Sequence, residues 1–144
     1  MLFPQKIVNA INSAGRLYEV GGAVRDRIRF ALDASGNIDT ERFSQYQPDE
    51  VDYLVTGIPI DELTRLLKRF GRVELAGRSF GVIKFKLHIA TRRVKTFDIA
   101  LPRRERSTGP GHKDFEVEYD PDIPIEQDLG RRDFTINSIA LQIA

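Results

Sequence analysis

The segment Gly81 to Ile89 constrains the fold of this chain more than any other. Ile83, Phe85, Leu87 and Ile89 share one parity, while Val82, Lys84, Lys86 and His88 share the other. Strict alternation of this kind describes a strand with one buried face, because successive side chains leave opposite sides of a sheet. A second apolar run, Val94 to Ala100, follows across Thr91-Arg92, so the two runs form a hairpin. Helices and strands interleave around it. Ile7, Ala10, Ile11 and Ala14 recur at helical spacing after Pro4. Leu17-Tyr-Glu-Val20 reads as a short strand running into Gly21-Gly22, and Ala23 to Ala31 as a helix. Glu50 to Val55 reads as a strand closed by Thr56-Gly57, and Ile60 to Phe70 as an amphipathic helix. Pro124 to Asp133 is expected to be a short helix and Phe134 to Ile143 a closing strand. Leu32 to Pro48 is polar and turn-rich, as a surface insertion is, and Pro102 to Asp114 contains Gly109-Pro-Gly111, as a mobile loop does. One hairpin among alternating helices and strands predicts an α/β (α+β) fold with a mixed sheet of about five strands flanked by helices. No linker interrupts the pattern, so residues 1–144 are expected to form a single domain.

Composition narrows the chemistry. There is no cysteine, and only two histidines, His88 and His112, are present. Thiolate and zinc-finger sites are therefore excluded. Any metal must sit on oxygen ligands, which favours Mg²⁺ or Mn²⁺. The 22 basic and 21 acidic residues leave a formal charge of only +1, so a nucleic-acid partner has to be recognised by local charge. No apolar run approaches the roughly 20 residues of a membrane span. The opening residues Met1-Leu-Phe-Pro-Gln-Lys-Ile7 lack the apolar core of a signal peptide, so a cytoplasmic protein is expected.

The strongest chemical signal is Asp49-Glu-Val-Asp52, entering the apolar run Tyr53-Leu-Val55. In a strand, residues two apart share a face at a separation of about 6.6 Å, so Glu50 and Asp52 project together and Asp49 points away. Such a pair is commonly just the solvated side of a half-buried strand. It also suits a divalent cation, which relieves the repulsion between adjacent carboxylates. Asp98, in Thr96-Phe-Asp98-Ile-Ala100, is a third carboxylate on an apolar strand. It would complete a metal site or accept the proton of an attacking hydroxyl.

Two further segments bear on phosphate. Gly21-Gly-Ala-Val-Arg-Asp26 joins a strand to a helix, with glycines that let the backbone approach a ligand and a helix start that attracts anions. Arg25 adds a phosphate donor, and Asp26 is placed to orient it. The run Glu126-Gln-Asp128-Leu-Gly-Arg131-Arg132-Asp133-Phe-Thr-Ile-Asn137 puts two arginines beside two carboxylates, either of which would hold them. Arg103, Arg104, Arg106 and Lys113 form a basic stretch suited to tracking an RNA backbone. Each segment alone also fits an ordinary solvated surface.

Taken together and in this order, Gly21 to Asp26, Glu50 to Thr56, Thr96 to Arg103 and Arg131 to Asn137 resemble the class II tRNA nucleotidyltransferase (CCA-adding) and bacterial poly(A) polymerase family over nearly the whole chain. The resemblance implies a polymerase-β-like nucleotidyltransferase head. It implies Mg²⁺ or Mn²⁺ on Glu50 and Asp52, with Asp98 as the third catalytic carboxylate. It implies ATP or CTP bound near Gly21, Gly22, Arg25 and Asp26, with Arg131, Arg132, Asp133 and Asn137 around the nucleotide. The acceptor would be an RNA 3′ end, expected to be tRNA. Three features depart from the family pattern: Glu50 stands where aspartate is usual, Arg27-Ile-Arg-Phe30 replaces a Leu-Leu-Gly-Arg-like stretch, and about 20 residues precede the acidic segment. The neck, body and tail of the family do not appear within the 144 residues, so a separate neck or body domain or subunit is an expected partner. The alternatives are a poly(A) polymerase head and a catalytically silent nucleotide- or RNA-binding module.

Overall fold

The computed structural model describes residues 3–76, 81–111, 115–132 and 135–144. Helix α1 (Gln5–Asn12) leads into strand β1 (Arg16–Val20) and helix α2 (Gly22–Ala31). Helix α3 (Thr40–Gln45), strand β2 (Asp52–Thr56), helix α4 (Ile60–Lys68) and strand β3 (Arg72–Ala76) follow. The hairpin is β4 (Val82–Ala90) and β5 (Arg93–Ala100), turning through Thr91 and Arg92, and Arg92 takes the left-handed φ of 62° that a two-residue turn requires. Strands β6 (Arg103–Ser107) and β7 (Phe115–Tyr119), helix α5 (Ile125–Gly130), a 3-10 turn (Thr135–Asn137) and strand β8 (Ala140–Ile143) complete the chain.

Six strands form a mixed sheet in the order β3-β4-β5-β2-β1-β8, one strand more than expected. β2 and β5 run parallel, and the other pairs are antiparallel. One face is dry. Tyr53, Val55, Ile83, Phe85, Phe97 and Ile99 meet Ile7, Val8 and Ile11 of α1 and Leu63 and Leu67 of α4, all essentially buried. Phe3 inserts between Tyr53 and Phe97 with ring centroids 4.9 and 4.7 Å away. These side chains all belong to one parity of their strands. The opposite parity, carrying Asp52, Lys84 and Asp98, therefore stands on the other face of the sheet.

Several expectations need correction. The acidic segment joins the sheet only at Asp52, because its antiparallel partner Val20 is the last residue of β1 and Gly21 turns the chain away. Glu50 is thus outside the strand, without a ladder to fix its parity. The insertion Leu32 to Pro48 contains α3. Asp39 caps it by accepting from the N–H groups of Glu41 and Arg42, and Phe30, Tyr46 and Arg42 pack it onto α2. The stretch after Pro102 is half of a two-stranded ribbon, since Arg104 and Arg106 lie opposite Glu118 and Glu116. The closing strand is shorter than expected. Residues Thr135–Asn137 make a 3-10 turn in which the Asn137 side chain is held by Arg25, and pairing with β1 begins at Ala140.

Candidate active site

The parallel register of β2 and β5 sets Asp52 directly opposite Asp98. Adjacent strands lie about 4.8 Å apart, so two carboxylates face each other on the open side of the sheet. Next to Asp98, on β4, its antiparallel partner Lys84 places Nζ 3.2 and 3.4 Å from the two carboxylate oxygens. Asp49, Glu50, Asp52, Lys84, Lys95, Thr96 and Asp98 line one cleft of about 330 Å³. Asp49 therefore lies on the cleft too, contrary to the parity expected of it, because residues 49–51 precede the strand.

Asp52 is exposed to solvent at the open side of the sheet, yet partial desolvation by the cleft walls pushes its carboxyl above the ordinary range. The negative charges of Asp98 and Glu50 push it further, and Arg132 opposes them. Four carboxylates and two lysines line the cleft, so acidic groups outnumber basic ones around Asp52. The donor set consists of oxygens, which suits a hard divalent cation. Among the described residues, no three acidic or histidine side chains converge closely enough to share one ion as they stand.

This shift predicts a pH signature. The folded state holds the Asp52 proton more tightly than the unfolded state. The stability that proton supplies is complete below the unfolded value, near 3.8, and is lost as pH rises through the higher folded value. Asp52→Asn should therefore raise the melting temperature of the cation-free protein at neutral pH. Solvent screening at this open cleft holds the gain below about 1 kcal/mol. Thermal melts between pH 3 and 8 check this. The gain should fade toward the acid end, and a variant less stable than wild type at pH 7 would contradict it.

Gly21 sits at φ 77° and ψ −140°, a conformation reserved for glycine, and donates its N–H to the Ile139 carbonyl at 3.0 Å. It links the end of β1 to α2 within reach of Arg132, whose Nη1 lies 3.8 Å from where a Gly21 Cβ would stand. Arg25 folds back over Gly22. Its Nε and Nη2 donate to Asp26 at 2.7 and 3.0 Å, and its Nη1 donates to Asn137 at 2.8 Å. Arg25, Asp26 and Asn137 thus form one strut joining α2 to the 3-10 turn.

Asp128 was expected only as one of two candidates to hold the arginines, yet it organises this side of the site. It is fully buried on α5. It accepts from the Arg103 backbone N–H at 3.0 Å, from Arg131 at 3.2 and 3.3 Å and from Arg132 at 3.3 Å. Glycine turn, acidic cleft and arginine pair therefore meet around Gly21, Asp52 and Arg132, from three distant parts of the chain.

The basic ribbon is more balanced than its sequence suggested. Arg103 pairs with Glu105 at 3.4 Å, and Arg104 pairs with Glu118 at 3.3 Å. Arg106 faces Glu116 across the ladder. Asp133 and Lys113 lie outside the described residues, as does His112. Lys84 was missed as a cleft residue. The only signal for it was its parity with Lys86 and His88 on β4.

Comparison with known proteins bears on the family and the fold. A family described as "Poly A polymerase head domain" matches residues 17–144. The "Multifunctional CCA protein" of Methylobacillus flagellatus is 38% identical over 125 residues, covering 87% of this chain and 24% of that protein. Its namesake in Nitrosococcus oceani is 40% identical over 124 residues, covering 86% and 24%. The chain thus spans about a quarter of the length of these curated relatives. Among solved structures, an apo form of a CCA-adding enzyme superposes with a TM-score of 0.63 at 23% identity, over 98% of this chain and 30% of that one, a likeness of fold. A tRNA nucleotidyltransferase complexed with a primer tRNA and an incoming ATP analogue gives a TM-score of 0.53 at 26% identity, over 93% and 30%. Among the described residues, no helix is long and apolar enough to cross a membrane.

Proposed function

Because the chain belongs to the poly(A) polymerase head-domain family, we propose that it is the catalytic head of a cytoplasmic RNA nucleotidyltransferase, acting on the 3′ end of tRNA with ATP or CTP. The observation that carries this reading is the registered Asp52–Asp98 pair beside Glu50, set against the Gly21 turn and Arg132. In the reaction, the RNA 3′-hydroxyl oxygen bonds to the α-phosphorus of the nucleotide, the bond to the β-phosphate oxygen breaks, and pyrophosphate leaves. Glu50 and Asp52 would hold Mg²⁺ or Mn²⁺, which would supply charge neutralisation of the triphosphate and activation of the hydroxyl.

The chain's own groups do the rest. Asp98, the third carboxylate, would share the divalent cation or receive the hydroxyl proton. Gly21 and Gly22 leave backbone space beside the cleft for the triphosphate, and Arg132 brings positive charge to the same place. Arg25, Asp26 and Asn137 hold the glycine turn and the 3-10 turn in register. Arg131, through Asp128, ties the arginine segment to the ribbon, whose Arg103, Arg104 and Arg106 would meet the RNA backbone. CCA addition is favoured over poly(A) addition because the curated relatives carry the CCA name.

A transfer assay with a tRNA lacking its terminal CCA, Mg²⁺ and labelled CTP and ATP tests the proposal. Incorporation that stops after three nucleotides is the expected product. A long tract of A would reassign the chain to poly(A) addition, and no incorporation combined with Mg²⁺-independent nucleotide binding would favour the silent module.

A further inference from the structure

The face of the sheet opposite the core carries a row of charges whose pairing changes at its inner end. At the outer strands, Lys86 meets Glu74 at 2.9 Å and Arg72 meets the same carboxylate at 3.6 Å. One step inward, Lys84 spans both oxygens of Asp98. Asp98 is in turn the registered neighbour of Asp52. The Lys84–Asp98 pair is therefore a link, among the described residues of this row, that involves a carboxylate of the acidic cleft. Both side chains remain nearly half exposed, so the ammonium can leave without opening the core. An ion pair this open is weakly held and exchanges readily with another cation.

We propose that Lys84 is an exchangeable counter-cation of the nucleotidyltransferase cleft: it occupies Asp98 in the cation-free protein and competes with the divalent ion for that carboxylate. The inference rests on the reading of the cleft as a cation site. It also assigns Lys84 a second position. Once the divalent ion takes Asp98, the ammonium is left on the cleft wall where the substrate's phosphates arrive. Lys84 is a positioning residue here, acting through Asp98.

Mn²⁺ binding measured by electron paramagnetic resonance, on the whole chain without nucleotide, tests this independently of turnover. Lys84→Met should tighten Mn²⁺ binding by roughly three- to fivefold, the scale of one unit charge removed at about 4 Å in a water-like medium. Lys84→Arg should bind as wild type does. Lys86→Met, which removes an equal charge paired to Glu74 one step further from the cleft, should tighten binding less than Lys84→Met does. In an Asp98→Asn background, Lys84→Met should have no further effect. Equal tightening with and without Asp98 would reduce Lys84 to a general field and overturn the proposal, as would unchanged affinity in Lys84→Met. If the wild-type chain binds no Mn²⁺, or binds it equally well in Asp52→Asn, the cation-site reading fails as well. The two failures are thereby distinguishable.

Discussion

Replacing Asp52 with alanine should abolish nucleotide incorporation, lowering kcat/KM by about a thousandfold, or ~4 kcal/mol of transition-state stabilisation. The size follows from position. Asp52 is fixed by ladders on both sides, to Val20 and to Asp98, and Lys84 pairs with Asp98 rather than with it. Glu50 has no such anchor and brings a longer side chain. Asp98 already has a partner in Lys84. Removing Asp52 therefore removes the ladder-fixed carboxylate that stands between Glu50 and Asp98. The fold should survive, because Asp52 lies outside the buried core and its ionised form is disfavoured there. Single-turnover incorporation on tRNA, paired with a thermal melt, checks both halves. Near-normal turnover in a folded Asp52→Ala protein would remove this residue from the chemistry.

Replacing Asp128 with alanine should have the largest effect on stability, about 3 kcal/mol, because breaking a buried charge pair strands its partners. Asp128 is fully buried and compensates Arg131 and Arg132, which are themselves mostly buried. It also satisfies the backbone N–H of Arg103, which is otherwise left without its acceptor. For a chain of this length the loss corresponds to a fall in melting temperature of about 10 °C. Activity should drop too, since Arg132 would no longer be held beside Gly21 and Asp52. Asp128→Asn retains acceptor capacity and should lose less. Denaturant unfolding of the three proteins measures the order. An alanine variant as stable as wild type would show that the arginines find other partners.

The hairpin was the most legible part of the fold. The alternation from Val82 to Ile89, the Thr91-Arg92 turn and the apolar run to Ala100 are local signals, and β4 and β5 appear within a residue or two of their expected places. What the sequence hid is set by distant partners. Arg103–Ser107 reads as a charged loop, and becomes a strand because β7 supplies opposite charges across the ladder. Arg72–Ala76 is only half-buried and carries too short a pattern to stand out, so the sixth strand went unexpected. The insertion looked irregular, yet Asp39 and the Phe30–Tyr46 contact suffice for one short helix.

The site divides the same way. Acid residues on or beside apolar strands, glycines at a strand-to-helix turn and a pair of arginines were visible as residue types. Their convergence depends on the parallel register of β2 and β5, which no local pattern encodes. Asp128 illustrates the limit: within a polar run it reads as solvated, and only the folded chain shows it buried beneath two arginines.

Thermal unfolding with ATP or CTP, with and without Mg²⁺, for wild type and Asp52→Asn, tests the central claim most directly, each protein being compared with its own ligand-free melt. A ligand that binds only the folded state stabilises it by about 2.7 kcal/mol at a hundredfold excess over Kd. The account predicts a Mg²⁺-dependent rise for wild type that disappears in Asp52→Asn. A rise of equal size in both proteins, or one indifferent to Mg²⁺, would contradict it.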